Sequence, residues 1–279
     1  MKKGVSFFSF GQDADLLEAA RQAAGAGYDG VELVLSESGS LNMKTSDADV
    51  LSLRHEIESL GLSICAVGAW NLWENNLAGE DLKAASHAQD IIRRQIDLAA
   101  LLGADTVLVV PGWVGTNFAP GIVPYDMAYN NAQERLSRLA PCAQAAGVSI
   151  GVENVWNKFL LSPLEFRRFL DEINNPFVGA YFDVGNIIYI GFPDQWIRIL
   201  GEKHIKKIHF CDARESQAGL GMFVDLMAGD VDYTAVMKAL RDIGYDDWVT
   251  VEFLHNYRNF PYQSIINARL SLDTLLAIP

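Results

Sequence analysis

The sequence predicts a closed (β/α)8 TIM barrel of the α/β class, built as a single domain over residues 1–279. Three observations predict it. Short runs rich in Val, Ile and Phe alternate with amphipathic stretches along the whole chain, and strands apolar on both faces are what a parallel sheet covered by helices requires. The alternation repeats eight times, and about 250 residues is the usual length of such a barrel. No GxGxxG follows the first apolar run, which sets aside the doubly wound open sheet as the competing architecture.

The expected strands are GVSFFSF (4–10), GVELVL (30–35), SICAVGA (63–69), TVLVVPG (106–112), SIGVEN (149–154), VGAYFDV (178–184), IKKIHFCD (205–212) and WVTVEF (248–253). Between them lie the expected helices. Residues 13–27 repeat apolar positions at helical spacing and end on Gly27. Residues 46–61 open on Ser46 as N-cap and close on Gly61, the start and stop signals of a helix. Residues 82–103, 125–147, 162–173, a weaker stretch near 193–203, 232–244 and 261–278 complete the set. Gly103, Gly147 and Gly244 also end helices shortly before a strand.

Composition narrows the function classes. Half of the residues are hydrophobic, enough to bury a large core. No run of 18 apolar residues suggests a membrane span. MKKGVSFFSF is read as a first strand and not as a leader. Its apolar part is short, and Gln12, Asp13 and Asp15 follow without a small-residue cleavage site. Cys65, Cys142 and Cys211 are odd in number, dispersed and free of any CxxC spacing. They fit a reduced, cytoplasmic protein. The formal charge of −13 and pI near 4.7 argue against a nucleic-acid partner.

Chemistry concentrates at the strand ends, where such barrels carry their active sites. The fifth expected strand ends in Glu153-Asn154, the sixth in Asp183, the seventh in His209-Phe-Cys-Asp212 and the eighth in Glu252. Alternation allows Glu153, Asp183, His209 and Glu252 all to face the barrel axis. Taken singly, an Asp at a strand end is more often a cap or turn residue, and a lone His is more often a hydrogen-bonded core residue. Four such residues on consecutive strands call for a common explanation. Carboxylates crowded at that depth repel one another and lose hydration. One divalent metal ion (Mn, Zn, Co or Mg) relieves both penalties, and the ligand set does not choose among them.

These segments resemble the xylose-isomerase-like TIM barrel superfamily of sugar isomerases and epimerases. GVELVLSE, GVENVWN, YFDVGN, KIHFCDAR and AGDVDYTAVMKALRDIGYDDWVTVEF carry the resemblance. It covers essentially the whole chain and is strongest toward the ketose and ketose-phosphate 3-epimerases. The resemblance implies that Glu153, Asp183, His209 and Glu252 bind one metal and that Glu153 and Glu252 are the proton-transfer pair. It further implies that Arg214 contacts substrate and that Glu32 touches the substrate or stands behind the ligands. Many free-ketose epimerases place a histidine three residues after the strand-six aspartate. Here that position is Asn186, which can hydrogen-bond to substrate but cannot act as an acid or base. The DVGN form looks closer to the sugar-phosphate branch.

The expected activity is therefore 3-epimerisation of a ketose or ketose phosphate through an enediolate, with a small sugar or sugar phosphate as partner and a homodimer as the expected assembly. An inosose dehydratase-type lyase and a hydroxypyruvate-type isomerase are alternatives on the same metal site. An endonuclease IV-like nuclease fits less well, because one clear histidine and an acidic chain do not suit a multinuclear zinc site on DNA. A non-catalytic sugar-binding protein is the last alternative. Trp70, Trp113 and Trp156 follow strands three to five and offer an apolar wall for a sugar, or ordinary rim packing. The segment 214–230 is long enough for a lid, with Asp230 or Asp232 capping the next helix. Lys158, His255 and Arg258 lie where an anionic group or plain solvent would meet them. His55, His87 and His204 fall on helices or at the opposite strand ends.

Overall fold

In the computed structural model, residues 1–11, 14–117, 121–217, 219–252 and 257–279 are described. Their strands are β1 (Lys2–Ser6), β2 (Gly30–Leu35), β3 (Ser63–Ala69), β4 (Thr106–Val109), β5 (Ser149–Glu153), β6 (Val178–Asp183), β7 (Ile205–Phe210), β8 (Asp212–Ala213), β9 (Phe223–Val224) and β10 (Trp248–Val251). Eight of them close a barrel in the order β1-β10-β7-β6-β5-β4-β3-β2, and β8 and β9 form a separate two-stranded ribbon. Every barrel pairing is parallel. The helices are α1 (Leu16–Ala26), α2 (Asp47–Ser59), α3 (Leu82–Leu102), α4 (Tyr125–Ala146), α5 (Pro163–Ile173), α6 (Pro193–His204), α7 (Tyr233–Asp242) and α8 (Gln263–Leu276). The predicted TIM barrel is the observed fold.

The core lies between barrel and helices. Val31, Val107, Ile150, Phe182, Ile208 and Val249 alternate along their strands and are buried. Phe182 shows which way they point: its ring stacks on Trp196 of α6, centroids 6.1 Å apart. The next residue, Asp183, consequently faces the axis. At the N-terminal end Lys207 of β7, only 1% exposed, closes the barrel by pairing with Asp105 and Asp247. These precede β4 and β10. Gly4 is required inside the barrel, because a Cβ there would sit 2.7 Å from the Thr250 hydroxyl.

Several boundaries differ from expectation. The first strand stops at Ser6, and Phe7–Phe10 form a 3₁₀ turn. The Ser6 side chain causes the stop by accepting from the Phe8 N–H at 3.3 Å. The fourth strand ends at Val109 rather than 112. Pro111 lacks an N–H, and Gly112 adopts φ 98° beside Asn76, whose side chain holds the Trp113 backbone at both N and O, each at 2.9 Å. The weak stretch near 193–203 is a full helix with Pro193 in its first turn, broken at Gly201 by φ 66° and ψ 175°.

The seventh strand ends at Phe210, and Asp212–Ala213 turn away to pair antiparallel with Phe223–Val224. The expected lid segment is thus partly tied down. The Asp212 carboxylate accepts from the N–H groups of Ala213, Gly229 and Val231 at 2.9–3.2 Å. Of the two expected caps, Asp232 caps α7 by accepting from Ala235 N–H, while Asp230 accepts from Glu215 N–H. No described helix is long and apolar enough to cross a membrane.

Candidate metal centre

The four strand-end residues come together. One ligand atom each from Glu153, Asp183, His209 and Glu252 lies within 4.8 Å of the others. Register explains the convergence. Asp183 and His209 are direct partners across β6 and β7, and Glu153 pairs with Tyr181 at the top of β5. Glu252 is one residue beyond β10, with its N–H donated to Phe210 O at 3.1 Å. Asp183 and His209 have no exposed surface, while the Glu252 side chain is 19% exposed. The cluster therefore opens on the Glu252 side.

The Asp183 carboxylate divides its work. Its Oδ1 accepts from the N–H groups of Gly185 and Asn186, both at 2.8 Å. The Cys211 thiol donates to the same carboxylate, at 3.0 Å to Oδ1 and 3.2 Å to Oδ2. Oδ2 faces the ring of His209, 3.9 Å from Nδ1. The Asp183 backbone is pinned by the residue after β5: its N–H donates to Asn154 Oδ1 at 2.9 Å, and its C=O accepts from Asn154 Nδ2 at 2.7 Å. Asn186 donates its amide to Glu153 Oε1 at 3.3 Å and to Asn154 O at 3.2 Å. The residue expected at the substrate therefore steadies the Glu153 carboxylate.

His209 sits between two sets of acids. Its Nε2 meets Glu32 Oε1 and Oε2 at 3.1 and 3.2 Å. Its Nδ1 points to the other three carboxylates, with Glu252 at 3.4 Å and Glu153 and Asp183 at 3.9 Å. Nδ1 is buried and makes no hydrogen bond among the described residues.

Electrostatics follow from burial and crowding. Burial, reinforced by the charge of Glu252, pushes Glu153 well above the ordinary carboxylate range and Asp183 up to about 7. For His209 burial disfavours the cation, but Glu32 and Glu252 outweigh it and hold the ring well above its usual value. For Glu32 burial again opposes the charge, yet His209, Ser6 and Tyr181 win and keep its carboxyl below the usual range.

A divalent cation fits this site. Opposed ligands at about 2.1 Å from a metal are roughly 4.2 Å apart, compatible with the 4.8 Å bound on the cluster. Nδ1, which makes no hydrogen bond among the described residues, would supply the imidazole donor, and the charge would quench the repulsion that raises the carboxyls. Mn, Zn, Co and Mg all accept such a donor set.

The other expected residues have surroundings of their own. Glu32 has no exposed surface and stands behind His209, its Oε1 3.1 Å from the ring Nε2. Arg214 is exposed and its Nε reaches Ala228 O at 3.4 Å. Trp113 is buried, and its indole N–H lacks a partner among the described residues. Trp156 stacks on Trp73, centroids 5.4 Å apart. Lys158 and Arg258 are exposed, and His255 lies outside the described residues. Sequence reasoning missed the roles of Asn154, Tyr181, Cys211 and Trp73. Only Asn154 carried a signal, as the polar neighbour of a strand-end ligand.

The profile of the Xylose isomerase-like TIM barrel family matches residues 20–270. The chain belongs to that family. This xylose isomerase-like barrel is 22% identical over 260 residues to the putative L-ribulose-5-phosphate 3-epimerase SgbU of Haemophilus influenzae, covering 88% of this chain and 86% of that protein. It is 26% identical over 159 residues to the inosose dehydratase of Lacticaseibacillus casei, covering 52% of this chain and 53% of that protein. The chain spans about half the length of the first curated relatives it matches. Among solved structures, a D-tagatose 3-epimerase-like protein superposes with a TM-score of 0.82 at 21% identity, covering 100% of this chain and 98% of that one. At that identity the likeness concerns the fold.

Proposed function

We propose that this barrel is a divalent-metal-dependent 3-epimerase acting on a ketose or ketose phosphate. The observation that carries the reading is the ring of Glu153, Asp183, His209 and Glu252 around a buried, unpartnered imidazole nitrogen. These four residues would hold one cation. Bound there, it would act as a Lewis acid toward the substrate's carbonyl and neighbouring hydroxyl, favouring loss of the adjacent proton.

The chain's own residues supply the proton transfers. Glu153 and Glu252 stand on β5 and just past β10, separated around the barrel by β6 and β7. They approach a bound sugar from different sides. One carboxylate takes the C3 proton, and the electron pair of that C–H bond moves into an enediolate. The other, as a carboxylic acid, returns a proton to the opposite face. Two acid–base groups on two faces suit inversion at C3. Asn186 steadies Glu153 through its amide. A neutral amide there, in place of histidine, leaves proton transfer to the glutamates. The name of the H. influenzae relative supports a phosphorylated pentulose as one member of the substrate class.

The L. casei relative favours a second reading, in which one glutamate removes the proton and a β-hydroxyl leaves as water, protonated by the other glutamate. Metal-loaded protein, ketoses, their phosphates and an inosose in D₂O separate the two by NMR. Deuterium at C3 with inversion supports epimerisation. A dehydrated diketone supports the lyase. Deuterium at C1 or conversion to an aldose would mark an isomerase instead, and no deuterium exchange and no product with any substrate would refute enediolate chemistry at this site.

A further inference from the structure

We propose that Glu32 is a positioning residue for the metal centre: it holds the Nε2–H tautomer of His209 and thereby turns the Nδ1 lone pair toward the cation. The inference rests on the metal-site part of the function proposed above and not on the identity of the sugar.

The argument begins with an acid in a costly place. Glu32 lies in the middle of β2 and has no exposed surface. A buried carboxylate needs several donors to remain charged. Glu32 has three. Ser6 of β1 donates its hydroxyl to Oε1 at 2.6 Å, Tyr181 of β6 donates to Oε2, and His209 Nε2 lies 3.1 and 3.2 Å from the two oxygens. An ionised carboxylate only accepts, so Nε2 carries the proton. A neutral imidazole with its proton on Nε2 has its lone pair on Nδ1. That nitrogen faces Glu153, Asp183 and Glu252 and has no other partner among the described residues.

The neighbours fix the ring as well as its proton. Tyr181 packs against the imidazole, with centroids 4.5 Å apart and planes at 58°. Gly151 makes room for Tyr181, because a Cβ there would stand 3.0 Å from the tyrosine Cβ and Cδ2. Glu32 and His209 are 177 residues apart in sequence, so the contact exists only when the barrel is closed. A carboxylate behind a ligating histidine raises the basicity of the ligand and fixes its orientation.

Two measurements test the assignment. Zinc affinity of Glu32→Gln, taken by competition with a chromophoric chelator, should fall about 10–100-fold. Tyr181→Phe, which keeps the Glu32 charge, should stay within about threefold of the parent, since it deletes one neutral donor. Zinc bound by folded Glu32→Gln within about twofold of the parent would overturn the proposal. The second measurement uses the unmutated chain and so survives any folding failure of the variant. Nitrogen-15 NMR of His209 should show zinc on Nδ1 and a slowly exchanging proton on Nε2. The metal-free chain at alkaline pH should keep its single ring proton on Nε2. Zinc on Nε2, or a final proton on Nδ1, would overturn the assignment. The metal-free arm decides the matter even if no metal binds, which would refute the proposed function separately.

Discussion

Asp183→Asn should stabilise the metal-free protein while crippling its metal centre. The substitution is nearly isosteric, and the new Oδ1 can still accept from the Gly185 and Asn186 N–H groups that now bond to Asp183. What it removes is a charge in a cluster whose ligand atoms lie within 4.8 Å of one another. Burial and Glu252 raise Asp183 from 3.8 to about 7. That is about three units at ~1.4 kcal/mol each, or roughly 4 kcal/mol. Glu153, Glu252 and His209 share this cost, which leaves about 2 kcal/mol for the single change. For a chain of this size that is roughly 4 °C in Tm.

The pH dependence carries a definite sign. The folded value lies above the unfolded one, so the stability contributed by protonated Asp183 is fully present below pH 3.8 and is lost as pH rises through about 7. The advantage of Asn should therefore be full at pH 8 and roughly half as large at pH 5.5. The assay is thermal unfolding of chelator-treated protein at both pH values, repeated with added Mn²⁺. The metal should raise Tm of the parent and have little effect on the variant. A metal-free variant less stable than the parent at pH 8, or one with an undiminished Mn²⁺ shift, would refute the reasoning.

Three further outcomes are expected. Gly185→Ala places a Cβ 2.5 Å from Cys211 Sγ and 2.7 Å from its carbonyl oxygen; crowding against backbone should cost about 1–3 kcal/mol by denaturant unfolding and weaken metal binding, and unchanged values would contradict the packing described. Cys211→Ala removes the thiol donor to Asp183 and should lower metal affinity several-fold, whereas Cys211→Ser should recover much of it; equal behaviour of the two variants would discount the hydrogen bond. Glu153→Gln and Glu252→Gln should each abolish turnover of an identified substrate in steady-state assays, and near-normal activity in either would remove that residue from the proton-transfer pair.

The barrel was legible because strand and helix periods alternate so regularly, and because glycines stop five of the helices just before a strand. The convergence of the four strand-end residues was legible for a related reason: one strand period fixes which residues face the axis, and the strand ends carried acids. The stretch FDVGN shows both the reach and the limit of that reading. A turn role and a ligand role competed for Asp183; Oδ1 takes the turn, and Oδ2 faces the cluster proposed to hold the cation. The thiol that braces it, Cys211, follows β7 and is 28 residues away, and no local pattern could announce it. The place of Glu32 likewise depends on contacts 26, 149 and 177 residues distant. The early end of β1 has the same origin, since Ser6 both bonds to Glu32 and caps the following turn. The ribbon after β7 escaped notice because its two-residue strands are too short for a period to show.

Anomalous diffraction from crystals grown with Mn²⁺ or Zn²⁺ tests the central claim most directly. The account predicts one strong peak per chain, within coordination distance of Glu153, Asp183, His209 Nδ1 and Glu252. A peak elsewhere, or none among these four residues at saturating metal, would contradict it.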